Sequence, residues 1–453
     1  MKKNNWYIAQ LLVAVLVSSS GVAQTTPPPA VNSFSVAQAV DYGMKNSSQV
    51  KNALLDVLIQ DQYNKDVTSA ALPQISASGN LTDYLNIPTN LLPGELAGQP
   101  AGTFIPVQFG TKYNANGGIT LNQILFDGQV FVGLQARKTS IEARQKAAEI
   151  TQENIKANIM KIYYQLAVSK TQIDLLDANI QRLQKLEHDT REIYKNGFAE
   201  KLDVDKLVVQ LANLQTEKLK ALNSVKNGYS GLKVLLGMPM RDSLVLTDSL
   251  SDSQISESIL ETANYSYTDR KDFQALLLSN KLNQYNIKRY QLSKIPTLSL
   301  NANYSKQAQR TSFNFFKSGN GYDWFTTSYV GLSVSIPIFK GFSTRAKIAQ
   351  ARLELQQTEN QLENLKISID NDVDVAKNNF VTATATMDYQ KKNMLLAEQV
   401  YEQTKKKYEV GTGSSTEINT AQVDLKAAQT NYINAMYDAI IARVDLLKAT
   451  GKL

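Results

Sequence analysis

Residues 330–338 read Val330-Gly331-Leu332-Ser333-Val334-Ser335-Ile336-Pro337-Ile338, with an apolar side chain at every second position. Period two marks a strand with one apolar face. Phe339-Lys340-Gly341 follows, and no proline occurs after Pro337. The period then changes. Ile348, Leu355, Leu362, Ile369, Ala376 and Ala383 recur every seven residues, with Val373, Phe380, Met387, Met394, Tyr401 and Tyr408 as a companion row. Such rows are the seams of packed long helices, with buried packing and no cofactor as their plain meaning. A helix over about 344–408 would be roughly 100 Å long at 1.5 Å per residue, too long for a globular domain. Helices of that length must lie side by side in a bundle or tube.

The pattern occurs twice. Tyr194-Lys195-Asn196-Gly197 matches Tyr408-Glu409-Val410-Gly411 at an offset of 214, which also sets Asp203-Val204 on Glu417-Ile418 and Gly237 on Gly451. Leu72-Pro73 matches Ile295-Pro296, and Phe126-Asp127-Gly128 matches Phe339-Lys340-Gly341. The offset shrinks from 223 to 213 between these landmarks, so the first copy carries ten extra residues there. The chain is a tandem duplication. Each copy holds two alternating stretches. Ile75, Ala77, Gly79 and Leu81, then Ala115, Gly117, Ile119 and Leu121, belong to the first; Leu298, Leu300, Ala302 and Tyr304, then Val330 to Ile338, belong to the second.

Four amphipathic strands fit either a transmembrane barrel or a soluble sheet with one buried face, and periodicity alone does not separate these. Aromatic residues near strand ends favour the membrane: Tyr84, Tyr113, Phe126, Tyr304, Phe325, Tyr329 and Phe339 stand where interface girdles occur. Four strands cannot close a barrel, because the smallest bacterial ones have about eight.

Composition narrows the function. The 453 residues include no cysteine and one histidine, His188, which excludes thiolate metal sites, a cysteine nucleophile and clustered imidazole ligation. No metal and no cofactor is expected. Lys2 and Lys3, the apolar run 8–17 and Gly21-Val22-Ala23 form a secretory signal over 1–23. Without a following cysteine, no lipid anchor is expected. The remaining +5 charge is dispersed, without basic clusters interleaved with aromatics, so no nucleic-acid partner is expected.

Expected boundaries are a linker over 24–35 and a first repeat over 36–240, with strands near 74–86 and 113–126 and helices near 129–195 and 202–236. A connector over 241–268 follows. The second repeat, 269–453, has strands near 297–308 and 327–339 and helices near 342–408 and 415–449.

This ordered set resembles the TolC-type outer-membrane efflux proteins, from about Val36 to Leu453. Asp269-Arg270-Lys271-Asp272 is similar to that family's Arg-Pro-Asp-Leu helix start. The resemblance implies a mainly α fold with membrane β: a homotrimer with one 12-stranded outer-membrane β-barrel, four strands per chain, continuous with a periplasmic α-helical coiled-coil barrel. It implies a passive exit duct of a tripartite efflux or type I secretion system, in the cell outer membrane with a periplasmic extension. Its partners would be outer-membrane lipid, a periplasmic adaptor (membrane fusion) protein and, through the adaptor, an inner-membrane pump of the RND, ABC or MFS class.

By motif position Asp203 and Glu417 match the acids that ring the family's periplasmic entrance, while Thr420 stands where some members have a second aspartate. Ser414-Ser415-Thr416-Glu417 is also a capping box, and Asp203 lies in a first helical turn, where acids are favoured in any case. The two roles are compatible. The hairpin tips Gly197, Phe198, Gly411, Thr412, Ser414 and Ser415 are the candidate adaptor contacts. The proline-rich loop 87–110 is either an extracellular loop restricting the outer mouth or a disordered excursion. Gly411-Thr412-Gly413 lacks the lysine of a phosphate loop. A periplasmic coiled-coil adaptor or structural envelope protein is the competing class, and would show one hairpin and a separate β domain. A secreted enzyme is the third class, disfavoured because the sequence offers no plausible arrangement of nucleophile, base or metal cluster.

Overall fold

The computed structural model describes residues 31–248, 265–317, 319 and 321–453; the expected signal segment lies outside them. The elements are β1 Val31–Phe34, α1 Val36–Asn46, α2 Ser48–Ser69, β2 Gln74–Asp83, β3 Thr89–Pro93, β4 Phe104–Gln108 and β5 Tyr113–Phe126. Next come α3 Gly128–Lys195, α4 Lys201–Leu236, β6 Ser243–Leu246, α5 Lys271–Leu292, β7 Thr297–Arg310, β8 Phe325–Ser335, α6 Ser343–Glu409 and α7 Ser415–Ala449. Short 3₁₀ turns occupy Gly94–Ala97 and Tyr267–Asp269.

Helices dominate, and their packing follows the duplication. α3 and α6 span 68 and 67 residues. Each carries two shorter helices along its length: α2 and α4 pack on α3, and α5 and α7 pack on α6. α3 also contacts α5 and α7, so the two copies join along α3. Tyr163, Leu183, Ile369, Phe380, Ile418 and Leu425 are fully buried along these seams. α4 and α6 therefore lie at the two flanks.

The shorter helices meet end to end. α4 closes on Gly237 (φ 70°), packed on Asn46 and Ser47 where α2 begins. α7 closes before Gly451 (φ 71°), packed on Asp269 and Arg270 where α5 begins. At the second junction Arg270 donates to Asp272 (2.6 Å) and to the Ala449 carbonyl (3.1 Å), and lies 3.6 Å from Asp372. Glu153 is half-buried beside this cluster. Desolvation raises its pKa above the usual 4.5, opposed by Arg270. The folded state thus holds this proton more tightly than the unfolded chain does. Stability from this group is present at low pH and lost as pH rises through the raised value. Glu153→Gln is expected to raise the melting temperature at neutral pH and to lose that advantage below about pH 4, read by thermal scans against pH.

β2, β5, β7 and β8 form one antiparallel sheet in the order β2-β5-β7-β8. α2, α3, α5 and α6 join it at one end, and the β2–β5 and β7–β8 connections leave from the other. β1 and β6 pair in parallel beside α1.

Several boundaries differ from the sequence reading. Residues 31–34 form a strand inside the expected linker. Two helices, α1 and α2, occupy 36–69, where no element was assigned. β8 ends at Ser335 rather than 339, because Pro337 has no N–H to continue the ladder. The loop 87–110 is no irregular excursion: β3 and β4 pair from Thr89↔Gln108 to Pro93↔Phe104.

Candidate functional site: a two-faced sheet and a hairpin tip

Cross-strand register sorts the sheet into two faces, since residues directly opposite point the same way. One face carries the rows Ile75–Leu121–Ala302–Val330 and Ala77–Ile119–Tyr304–Ser328, then Leu300–Leu332 and Leu298–Val334. The other carries Ser76–Thr120–Asn303–Tyr329, Ser78–Gly118–Ser305–Thr327 and Gln74–Asn122–Asn301–Gly331. The apolar rows are uncovered, with Val330 75% exposed. A contiguous bare apolar band of this kind needs a lipid or protein environment.

The expected girdle aromatics divide on this register. Tyr113 and Tyr304 align with the apolar rows, and Phe126 opposite Leu298 does also, through a bulge at residues 124–126. Tyr329 and Phe325 pair with Asn303 and Gln307 on the polar face. The period of two thus sets them on the opposite side from Val330. Tyr84 and Phe339 flank the strands at opposite ends of the sheet.

At the far end of the helices lie two tips. α3 stops in a left-handed Gly197 (φ 79°), with the Phe198 N–H donating to the Ile193 carbonyl (3.0 Å). α6 stops in Gly411 (φ 77°), with the Thr412 N–H donating to the Lys407 carbonyl (2.9 Å). Phe198 is 84% exposed.

The capping box forms: the Glu417 N–H donates to Ser414 Oγ (3.2 Å), and the Ser414 N–H to Glu417 Oε2 (3.4 Å). Glu417 remains exposed. Asp203 has no capping bond. It lies 3.6 Å from Lys206, with its side chain 20% exposed. Thr420 spends its hydroxyl on the Thr416 carbonyl (2.9 Å), and the Ser415 hydroxyl accepts from Asn419 (3.4 Å). The structure thus brings all the named tip residues to one end, on two different hairpins.

Behind the tip sequence reasoning missed a polar layer between the copies. Buried Asn179 on α3 donates to Gln429 (2.9 Å) and accepts from Gln422 (2.9 Å), both on α7, and from Arg182 (2.8 Å). Nearby, Thr190 and Tyr408 share a 3.0 Å hydrogen bond between α3 and α6. A cavity of about 320 Å³ beside them is lined by Arg182, Lys185, Asp189, Glu192, Tyr401 and Lys405, among others. The available signal was an amide at helix-seam positions, which breaks the apolar row without a local motif. Among the described residues no metal-holding cluster exists.

A sheet with an uncovered apolar face, continued by paired helices several tens of ångströms long, fits a channel of the outer membrane. Comparison with known proteins agrees. Residues 267–452 match the family described as outer membrane efflux protein. The chain is similar to the outer membrane efflux protein BepC of Brucella suis biovar 1, 24% identical over 449 residues, covering 98% of this chain and 90% of that one. It is similar to the outer membrane protein TolC of Vibrio cholerae, 22% identical over 339 residues, covering 74% and 76%. Among solved structures, the outer membrane protein VceC of Vibrio cholerae superposes with a TM-score of 0.70 at 15% identity, covering 92% and 96%. CusC gives 0.75 at 15%, covering 92% and 91%. The chain is thus similar to outer-membrane efflux proteins, over residues 267–452 by the family match and over most of its length by the relatives and the fold. Its place is the cell outer membrane with a periplasmic extension, and the solved structures it superposes on are outer-membrane channels.

Proposed function

We propose that three copies assemble into a passive exit duct of a tripartite efflux or type I secretion system. The carrying observation is the four-stranded sheet with two unpaired edges, β2 and β8, and a bare apolar face. Lipid does not tolerate open sheet edges, so the edges must be paired between chains. Three copies give twelve strands, the number the family resemblance implies, with the polar rows toward the lumen. The flanks favour the same ring, since α4 exposes Val209, Leu219 and Val234 while α6 exposes Leu353, Ile367 and Val381. Closure would join α4 of one copy to α6 of the next in a coiled-coil barrel.

In this reading the repeats are 36–240 and 269–453, joined by the connector, and the tips form the periplasmic entrance. Asp203 and Glu417 would set six carboxylates around it, attracting cations. Glu417 keeps its capping role while facing water. Thr420, with its hydroxyl held by its own helix, adds no charge. The exposed Phe198 and the glycine turns would receive the periplasmic adaptor, and through it an inner-membrane RND, ABC or MFS pump.

The test is single-particle imaging with mass determination in detergent. A threefold tube well over 100 Å long supports the duct. A detergent-free monomer would return the chain to the adaptor or envelope-scaffold class. In planar bilayers, Asp203→Asn with Glu417→Gln is expected to bring the cation-over-anion preference toward unity. An unchanged preference would leave these acids as caps alone.

A further inference from the structure

Among the described residues the β3–β4 hairpin pairs with no further strand. It leaves the sheet end opposite the helices, between β2 and β5. A two-stranded hairpin is marginal in water unless something covers a face. Its register puts Leu91 with Pro106, and Pro93 with Phe104, on one side. That side is bare: Leu91 is 64% and Phe104 62% exposed. Over residues 84–111 the sole charged side chain is Glu95, which is exposed.

The β7–β8 connection leaves from the same end and has the opposite character. Arg310, almost fully buried, donates to the Asp323 carbonyl (3.2 Å) and lies under the rings of Phe315 (6.0 Å) and Tyr322 (5.7 Å). Phe315 contacts Trp324 and Phe313, and Phe313 contacts Tyr113 on β5. On this fixed base Phe316 projects 93% exposed, with exposed Lys317 next to it.

Resting on the ring of copies proposed above, we infer that the apolar face of the β3–β4 hairpin docks on the β7–β8 loop of a second copy of this chain, forming an apolar collar at the outer mouth. The strand order makes these neighbours. In a closed ring built from β2-β5-β7-β8, β8 of one copy abuts β2 of the next, antiparallel like every other pair. The hairpin rises from the β2 side and the Phe316 knob from the β8 side. Leu91 and Phe104 meet Phe316, and Glu95 faces Lys317 across the joint. The collar would bury the exposed Leu91, Phe104 and Phe316 and tie each copy to the next above the lipid.

The chain contains no cysteine, so introduced thiols are the sole targets. Outer membranes carrying Leu91→Cys with Phe316→Cys would be treated with a bifunctional maleimide and run on a denaturing gel, beside each single variant. The double variant is expected to give covalent dimers and trimers, and the single variants monomers. Equal dimers from Leu91→Cys alone would place the hairpins against each other and overturn the docking. Monomers, or bands fitting another envelope protein, would overturn it too. Mass in detergent separates the two readings: a trimer without cross-links sinks the collar alone, whereas a monomer sinks the duct with it.

Discussion

Val330→Arg is expected to abolish assembly of the protein in the outer membrane. Val330 lies on β8 in the row Ile75–Leu121–Ala302–Val330, inside the apolar band and bare of protein contacts on its outer side. An arginine facing lipid near the midplane costs about 2–4 kcal/mol. The proposed ring of three copies would repeat the substitution three times, for about 6–12 kcal/mol per assembly. That is comparable to the whole stability of a folded domain, about 5–15 kcal/mol. β8 is also an edge strand, so the substitution falls beside the seam that the proposed ring would form between chains. Ser333→Arg supplies the contrast, since Ser333 pairs with Ser299 on the polar face three residues away. The amount of heat-modifiable protein in isolated outer membranes reads both. Insertion of Val330→Arg at the wild-type level would mean that this face does not meet lipid.

The contrast shows where sequence sufficed and where it did not. Alternation from Val330 to Ile338 identifies a two-faced strand, because a period of two admits few other structures. The proline-free heptad rows are legible for a similar reason: only a long helix places Ile369, Val373 and Phe380 on one line, and all three are buried. Tyr329 and Phe325 could not be sorted by proximity to strand ends, since the face depends on register, which a one-residue slip inverts. α1 and α2 escaped notice although Ser35 and Gln38 form a capping box. The apolar residues of α2 leave no clean stripe, whereas α1 is amphipathic but only 11 residues long.

At the tip, the glycines and the Ser414–Glu417 box are local devices and can be read from a few adjacent residues. The Asn179–Gln422–Gln429 layer joins residues more than 240 positions apart. A single chain without a fold in hand contains no pattern that pairs them. The Thr190–Tyr408 bond is hidden in the same way. The β3–β4 hairpin was obscured by its prolines: Pro93 and Pro106 sit in strands with no further partner, where a missing N–H costs no ladder bond.

Gly237→Ala is expected to destabilise each copy by about 3 kcal/mol or more, whereas Gly197→Ala should cost about 1 kcal/mol. Both glycines have nearly the same backbone, φ 70° and 79°, so the left-handed penalty of about 1–2 kcal/mol is common to them. Their surroundings differ. A Cβ at Gly237 would stand 2.4 Å from the Asn46 carbonyl oxygen and 2.8 Å from its carbon, both backbone atoms that no rotamer change can move. At Gly197 nothing lies within 4 Å. The same division holds in the second copy, where Gly451 meets the Asp269 backbone at 2.8 Å and Gly411 meets nothing. The inner pair is therefore demanded twice, by conformation and by the end-to-end contact of two helices. The tip pair is demanded by conformation alone, and leaves a surface without side chains that another helical tip can approach closely. Thermal loss of the folded assembly should separate Gly237→Ala and Gly451→Ala from Gly197→Ala and Gly411→Ala. If the tips dock an adaptor, the latter two will lower export from cells while keeping near-native melting. Equal melting losses at all four sites would remove the argument that the junction glycines hold stacked helices together.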